Sequence, residues 1–344
     1  MTKYFSLLFV LFLLISAPLA AQDFSETLSE VGEAYARAYV DPLAESLGAD
    51  MNSGLFHTAS TGKKILGVNV YIGFKASATF LNASQKSFDL TYSGTVPIEV
   101  ELAGDMITLD VPATFTVTDA PTIFGDEEEA MARVSVNHDT TFQSIGLTLP
   151  ISIDSTLSPQ ETIGGLLPTN VAPFLVPQVG IGTVMGTDVM VRFLPQITVP
   201  DYGSVEILGF GIRHNINQYV PLLPIDLAIQ AVWQRVGVDD ELDNQVMSAK
   251  TFAVNIAASK RFGPLTLYAG LQTERSDIRF QYTVDPDEFN LDDQEPVEVD
   301  FTLSDIGKNR ALFGMGLKFG PVLLNGDISV GHITVVSAGF GFSF

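Results

Sequence analysis

Alternation constrains this chain more than any other feature. Its last twelve residues, ITVVSAGFGFSF, place Phe344, Phe342, Phe340, Ala338, Val336 and Thr334 on one side and Ser343, Gly341, Gly339, Ser337 and Val335 on the other. That is a period of two, the strand period, with aromatics on one face and small or polar residues opposite. An edge strand of a soluble sandwich would alternate in the same way, so the choice between the two depends on the rest of the chain.

Two further segments repeat the pattern. VNVYIGFKASATF sets Val68, Val70, Ile72, Phe74, Ala76, Ala78 and Phe80 against Asn69, Tyr71, Gly73, Lys75 and Ser77. IDLAIQAVWQ sets Ile225, Leu227, Ile229, Ala231 and Trp233 against Asp226, Ala228, Gln230, Val232 and Gln234. Trp233, the only tryptophan, ends its apolar face, where an interfacial aromatic belt would place it; a core tryptophan is the other reading. In the C-terminal third Leu265, Leu267, Ala269 and Leu271 alternate with Thr266, Tyr268, Gly270 and Gln272, and Ala311 to Phe319 behave alike.

Composition supplies the contradiction that narrows the class. The chain is 46% hydrophobic yet carries 40 acidic against 18 basic residues, a net charge of −22. After the N-terminal segment there is no apolar stretch long enough for a membrane helix that is also free of charge, Gly and Pro. A transmembrane antiparallel β-barrel resolves both facts, because lipid-facing residues alternate with lumen-facing ones and dilute the hydropathy signal. The N-terminus, MTKYFSLLFVLFLLISAPLAAQ, has the layout of a secretory signal peptide: Lys3, an apolar run from Leu7 to Ile15, then small residues. Cleavage near Ala21 and residence in the outer membrane of a Gram-negative bacterium are the expectation. The chain has no cysteine, so no disulfide framework holds it.

Turn chemistry orients the barrel. RFGPLTL and KFGPVLL share Gly-Pro punctuation at Gly263-Pro264 and Gly320-Pro321, marking short turns on one rim. Long acidic connections, residues 274–309 and the shorter 235–245, fall on the other, the asymmetry of short periplasmic turns and long external loops. The expected organisation is a signal peptide at 1–21, an N-terminal helical segment at 22–64 acting as plug or periplasmic lid, and a barrel at 65–344. The barrel has 10–14 strands, an even number that keeps both termini periplasmic, with an irregular insertion at about 82–172. Asp23 with Glu26 starts the helix, Asp41-Pro42 breaks or kinks it, and Gly48 stops it.

Catalytic chemistry finds little support. None of His57, His138, His214 (beside Arg213 at a rim) and His332 sits in a pattern nominating a nucleophile or base. No catalytic, cofactor-binding or metal-binding residue is assigned, and the ligand-binding residues stay unknown. DPDEFNLDDQE offers Asp285, Asp287, Asp292, Asp293 and Glu295 as oxygen donors. Phe289 and Asn290 stand where a calcium loop needs a donor and glycine, so a solvated acidic loop is expected. The acidic balance argues against nucleic acid. Inward glycines at 209, 211, 270, 314, 316, 339 and 341 leave room in the lumen or let a plug approach closely, and a wide, highly charged pore is not expected.

The helical segment running into DPLAESLGADMNSGLFHTA, the first strand after KKILGVNVYIGF, APTIFG, and IGTVMGTDVMVRFLP together resemble an uncharacterised family of Bacteroidota-type exported outer-membrane proteins. More distantly, a helical segment before a barrel is similar to FadL-type transporters of hydrophobic compounds. That resemblance implies a hatch and an apolar ligand route, with no individual residues carried over. The expected function is a channel or transporter for small hydrophobic molecules; the alternative is a structural or adhesive barrel with acidic external loops and a closed lumen. Expected partners are outer-membrane lipids and lipopolysaccharide, the barrel-assembly machinery through the strand ending at Phe344, and a hydrophobic small molecule.

Overall fold

A computed structural model describes residues 21–60, 69–102, 105–144, 147–156, 159–182, 186–199, 203–217, 219–220, 223–284, 297–307 and 309–344. In chain order the elements are α1 (Ala21–Met51), β1 (Asn69–Phe80), β2 (Ser87–Leu102), β3 (Asp105–Pro121), β4 (Met131–Ser144), β5 (Leu147–Thr156), β6 (Gln160–Glu161), β7 (Val171–Gly182), β8 (Thr187–Val199), β9 (Gly203–Asn215), β10 (Asp226–Asp239), β11 (Gln245–Phe262), β12 (Leu265–Val284), β13 (Val297–Ile306), β14 (Asn309–Phe319), β15 (Val322–Val330) and β16 (Val335–Ser343). The chain divides into two compact units. One comprises residues 43–81, 170–281 and 302–344; the other comprises 82–169 with the N-terminal part of α1 and residues 282–301.

The first unit is the barrel. Its strands pair in the order β11, β10, β9, β8, β7, β1, β16, β15, β14, β12, and β12 pairs back onto β11, closing a ring of ten. The first and last strands meet antiparallel, with Ile72 opposite Phe342 and Phe74 opposite Phe340. Closure leaves the ring no unpaired edge, which is the condition for a sheet to cross hydrocarbon. Ten lies within the expected range, and the number is even.

The faces are sorted opposite to those of a soluble protein. Phe74, Leu271, Phe313 and Phe344 are each more than half exposed, and exposed Ile, Leu and Phe recur on β7, β8, β9, β10, β11, β15 and β16. Arg192 and Gln234 are fully buried and Lys75 nearly so. Soluble monomers rarely expose an apolar band that runs around the whole molecule, and they rarely bury arginine, lysine and glutamine side chains together in the interior. A transmembrane barrel has both an apolar outer band and a polar interior. On β1 the outward set runs from Val70 to Phe80, about 33 Å of strand; at a tilt of about 40° that spans roughly the 25 Å apolar height of such barrels. Among the described residues no helix is long and apolar enough to cross a membrane.

Trp233 settles between its two readings. It points outward, stacked on Phe210 with ring centroids 6.5 Å apart. The next outward residue on β10, Arg235, pairs with Glu206 at 2.9 Å. The apolar band therefore gives way to charge just past the indole, which is the interfacial position.

Gly263-Pro264 and Gly320-Pro321 are the two-residue connections β11–β12 and β14–β15, and both glycines adopt positive φ (62° and 58°). A two-residue hairpin needs that conformation, and glycine adopts it without a Cβ clash. The same rim holds Val70, bonded to Phe344 through both backbone groups. The opposite rim carries the tight 240–244 turn, organised by Asp240, whose Oδ1 accepts from the Leu242 and Asn244 amides at 2.8 Å each.

In the second unit, β2 to β5 form an antiparallel sheet in sequence order, with β6 paired to β4. Val111, Ala113 and Val136 form its buried cluster. The segment from Asn82 to Thr169 thus carries regular strands that the prolines in the sequence obscured. Strand β3 tolerates Pro112 and Pro121, and β2 tolerates Pro97. In this unit Tyr39 Oη donates to Gly164 O at 3.1 Å, and the Tyr35 ring meets Phe88 edge-on at 5.2 Å. Burial pushes the Tyr35 hydroxyl up to about 12.

Helix α1 is longer than expected: it passes Pro42 and Gly48 and ends at Met51. Gly48 is there for close approach, not termination, since a Cβ would lie 2.7 Å from Ser276 Oγ on β12.

Candidate functional site

The barrel's interior is occupied by the protein's own residues 49–60. A helix C-terminus leaves its last carbonyls without intrahelical donors and carries the negative end of the helix dipole. The last turn of α1 has no basic residue of its own. Inward-facing side chains of the barrel supply the donors instead.

Five consecutive carbonyls are seated in this way. Ala49 O accepts from Arg310 Nη1 at 3.1 Å, and Asp50 O from Ser77 Oγ at 3.1 Å. Met51 O accepts from Arg192 Nη1 at 2.8 Å and from Gln234 Nε2 at 2.7 Å. Asn52 O accepts from Gln272 Nε2 at 2.8 Å, and Ser53 O from Arg192 Nη2 at 3.0 Å. The donors come from β14, β1, β8, β10 and β12, on several sides of the ring.

Below the helix end the chain continues through the lumen. Gln230 Nε2 donates to Leu55 O at 3.4 Å, Asn215 Nδ2 to Ala59 O at 2.9 Å, and the Ala59 amide to Ser259 Oγ at 2.9 Å. Phe56 packs on Tyr268, ring centroids 5.6 Å apart, within a buried cluster of Leu55, Ala59, Met190, Val232 and Leu312. At the other end Glu45 meets His332 at 2.9 Å, in the β15–β16 connection. The segment therefore enters at the rim opposite Phe344 and runs toward the Gly-Pro rim. Both ends of the barrel ring lie at one rim as expected, but the helical part of the N-terminal segment in this unit lies at the other.

The lumen is more charged than the strand patterns suggested. Arg310 and Glu274 form a buried pair at 2.7 Å, both nearly inaccessible, and Lys75 Nζ donates to Asn325 Oδ1 at 2.8 Å. Asp327 Oδ1 accepts from Ser337 Oγ, and its Oδ2 accepts from Tyr268 Oη. Voids beside the helix end are about 10 Å³ each. A cavity of about 100 Å³ opens on the Gly-Pro rim.

The chain belongs to a family of unknown function, DUF6588. That family's model matches residues 1–344. No curated protein matches the chain. Among solved structures, it is similar to the translocator domain of autotransporter NalP from Neisseria meningitidis (14% identity, 92% of this chain and 99% of that one, TM-score 0.29). It is similar also to OccK2 (OpdF) of Pseudomonas aeruginosa (10% identity, 81% and 96%, TM-score 0.20). A third is a loop-deletion mutant of OmpT, an outer membrane protein of Vibrio cholerae (10% identity, 80% and 99%, TM-score 0.23). At these scores the reading of the family member in hand rests on its own faces and closure.

The histidines separate in space. His57 lies in the lumen segment, its ring 5.2 Å from Tyr71. His214 bonds Thr187 Oγ1 at 2.8 Å and Tyr219 Oη at 3.0 Å, while neighbouring Arg213 points inward to Asp188. His332 faces Glu45. His138 falls on β4, and its side chain is outside the described residues, as are Asp285, Asp287, Asp292, Asp293 and Glu295. Four residues carry the lumen: Gln234 and Gln272, which the strand patterns placed on the inward faces, and Arg192 and Arg310, which sequence reasoning passed over. Their signal was parity, since Arg192 in DVMVRFLP sits on the face opposite Val189, Val191 and Phe193.

Proposed function

We propose that this protein is an outer-membrane barrel of a Gram-negative bacterium whose resting lumen is sealed by its own N-terminal segment, serving as a closed scaffold and not as a standing channel. The observation that carries this is the row of five carbonyls, Ala49 to Ser53, each held by an inward side chain of the barrel. A segment fixed from several sides of the ring is part of the fold, and a transient obstruction would not need so many donors.

The FadL-like route for hydrophobic molecules has less support. A path lined by Arg192, Lys75, Gln272, Asn255 and Asp327 would strip water from those groups as an apolar solute passed, at several kcal/mol for charged groups. Signal-peptide cleavage near Ala21 delivers such a barrel to the outer membrane. Lipids there meet the apolar band, lipopolysaccharide meets the charged rim, and the assembly machinery engages β16, whose Phe340, Phe342 and Phe344 all face outward.

Planar-bilayer recording tests the sealed state. The purified protein is expected to insert without conductance steps at moderate voltage. Steady open steps from the unmodified protein would remove the basis for a closed scaffold.

A further inference from the structure

The lumen segment has a direction. Thr58 Oγ1 lies 3.2 Å from Ser259 Oγ, and Asn215 Nδ2 donates to Ala59 O, which puts this end beside the last residues of β9 and β11 at the Gly-Pro rim. Strand β1 starts at the same rim, where Asn69 Oδ1 accepts from Ser343 Oγ at 3.3 Å. The other end is held by Arg310, at the start of β14, and by His332 in the β15–β16 connection. The chain therefore crosses the ring once before its first strand, and α1 leaves the barrel at the rim opposite Phe344.

The connections say which side of the membrane that is. At the Gly-Pro rim the strands are joined by residues 183–186, 216–225, 263–264 and 320–321. At the opposite rim residues 81–170 join β1 to β7, the Leu81 amide donating to Asn170 O at 3.0 Å where the excursion leaves and returns. Residues 274–308 separate the paired parts of β12 and β14 at that rim too. Outer-membrane barrels keep their short turns in the periplasm and their long connections outside. An exported chain, however, reaches the membrane from the periplasmic side. A path along the outside of the wall would leave the carbonyls of residues 49–53 in hydrocarbon, at several kcal/mol for each unpaired group. Those carbonyls are instead bonded inside the ring.

We propose that this barrel displays its own N-terminal helix and its 82–169 segment at the cell surface, the helix having been carried outward through the ring that the lumen segment now fills. The expectation of a periplasmic lid is thereby reversed. The five seated carbonyls are then the anchor of an exported segment, and the barrel is the device that holds it in the membrane. This names the cargo of the closed scaffold and rests on that reading only for the barrel's place in the outer membrane.

Cysteine labelling in intact Gram-negative cells tests the topology, since the chain has no cysteine of its own. Asp41 on α1, Glu128 between β3 and β4, and Pro264 in the β11–β12 turn are all exposed. Asp41→Cys and Glu128→Cys should react fully with a membrane-impermeant maleimide on intact cells. Pro264→Cys should react only after the outer membrane is permeabilised. Heat-dependent gel mobility confirms that each variant is folded, and Glu33→Cys repeats the α1 measurement should Asp41→Cys fail that check. An α1 cysteine shielded until permeabilisation would overturn the proposal, as would labelling of Pro264→Cys on intact cells to the extent of Asp41→Cys. Labelling does not depend on conductance. A conducting protein with an accessible α1 would remove the closed scaffold alone, and a silent one with a shielded α1 would remove this inference alone.

Discussion

Arg192→Met is expected to destabilise the barrel by about 3–5 kcal/mol and to convert a silent protein into one that conducts intermittently. The guanidinium is fully buried and donates to Met51 O, Ser53 O, Gln178 Oε1 and Gln234 Oε1. Methionine keeps much of the volume but none of the donors. Ser53 O then has no lumen donor, Met51 O keeps only Gln234, and breaking such buried charged contacts costs on this scale. The loss falls on the helix end, so the lumen segment loosens before the strands do. Denaturant unfolding in detergent and bilayer recording read the two effects. Arg275→Met is the control: its guanidinium is 60% exposed and pairs with Asp277, an arrangement worth at most about 1 kcal/mol. A variant at 192 as stable and as silent as the control would mean that the carbonyl row does not hold the segment.

Phe74→Arg should cost about 2–4 kcal/mol in bilayers, the penalty for an arginine near the midplane of an outer-membrane barrel's lipid face. Phe74 is 54% exposed and lies midway along the outward set of β1, opposite Phe340 and Pro177. The sign of this experiment separates two solvents. On the surface of a water-soluble protein an exposed phenylalanine exchanged for arginine changes stability by no more than about 0.5 kcal/mol. Folding into vesicles, followed by gel mobility with denaturant, measures the difference. A neutral result would place water, not hydrocarbon, against this face.

Alternation along single strands was enough to place the outward residues. On β16 every aromatic assigned to one face is exposed, and Ser337, Gly339, Gly341 and Ser343 are turned in. The inward glycines also have a visible reason: the Tyr71 ring lies over Gly73 and Gly341, where a Cβ would come within 2.6 Å of its atoms. Local pattern does not record what meets across the ring. Arg192, Gln234, Gln272 and Arg310 are scattered over four strands, and no spacing in the sequence joins them to Met51 or Ser53. Gly48 misled the helix boundary for the same reason. Intrinsic preference predicts a stop, but the barrel supplies donors to the last carbonyls and room only for a glycine at 48, and so carries the helix on to Met51. In the segment from Asn82 to Thr169, prolines on β2 and β3 interrupt the alternation, although these strands pair antiparallel with their sequence neighbours.

The account depends most on residues 49–60 being threaded through the ring, and a disulfide test addresses this directly. The chain contains no cysteine, so an introduced pair has no competitor. Ser53 Oγ and Ser329 Oγ lie 3.5 Å apart, one on the lumen segment and one on β15. The Ser53→Cys/Ser329→Cys variant should oxidise completely within the membrane-inserted protein, losing two hydrogens by intact mass and resisting thiol labelling until reduced. Two thiols that label freely in the folded, inserted barrel would contradict the threading.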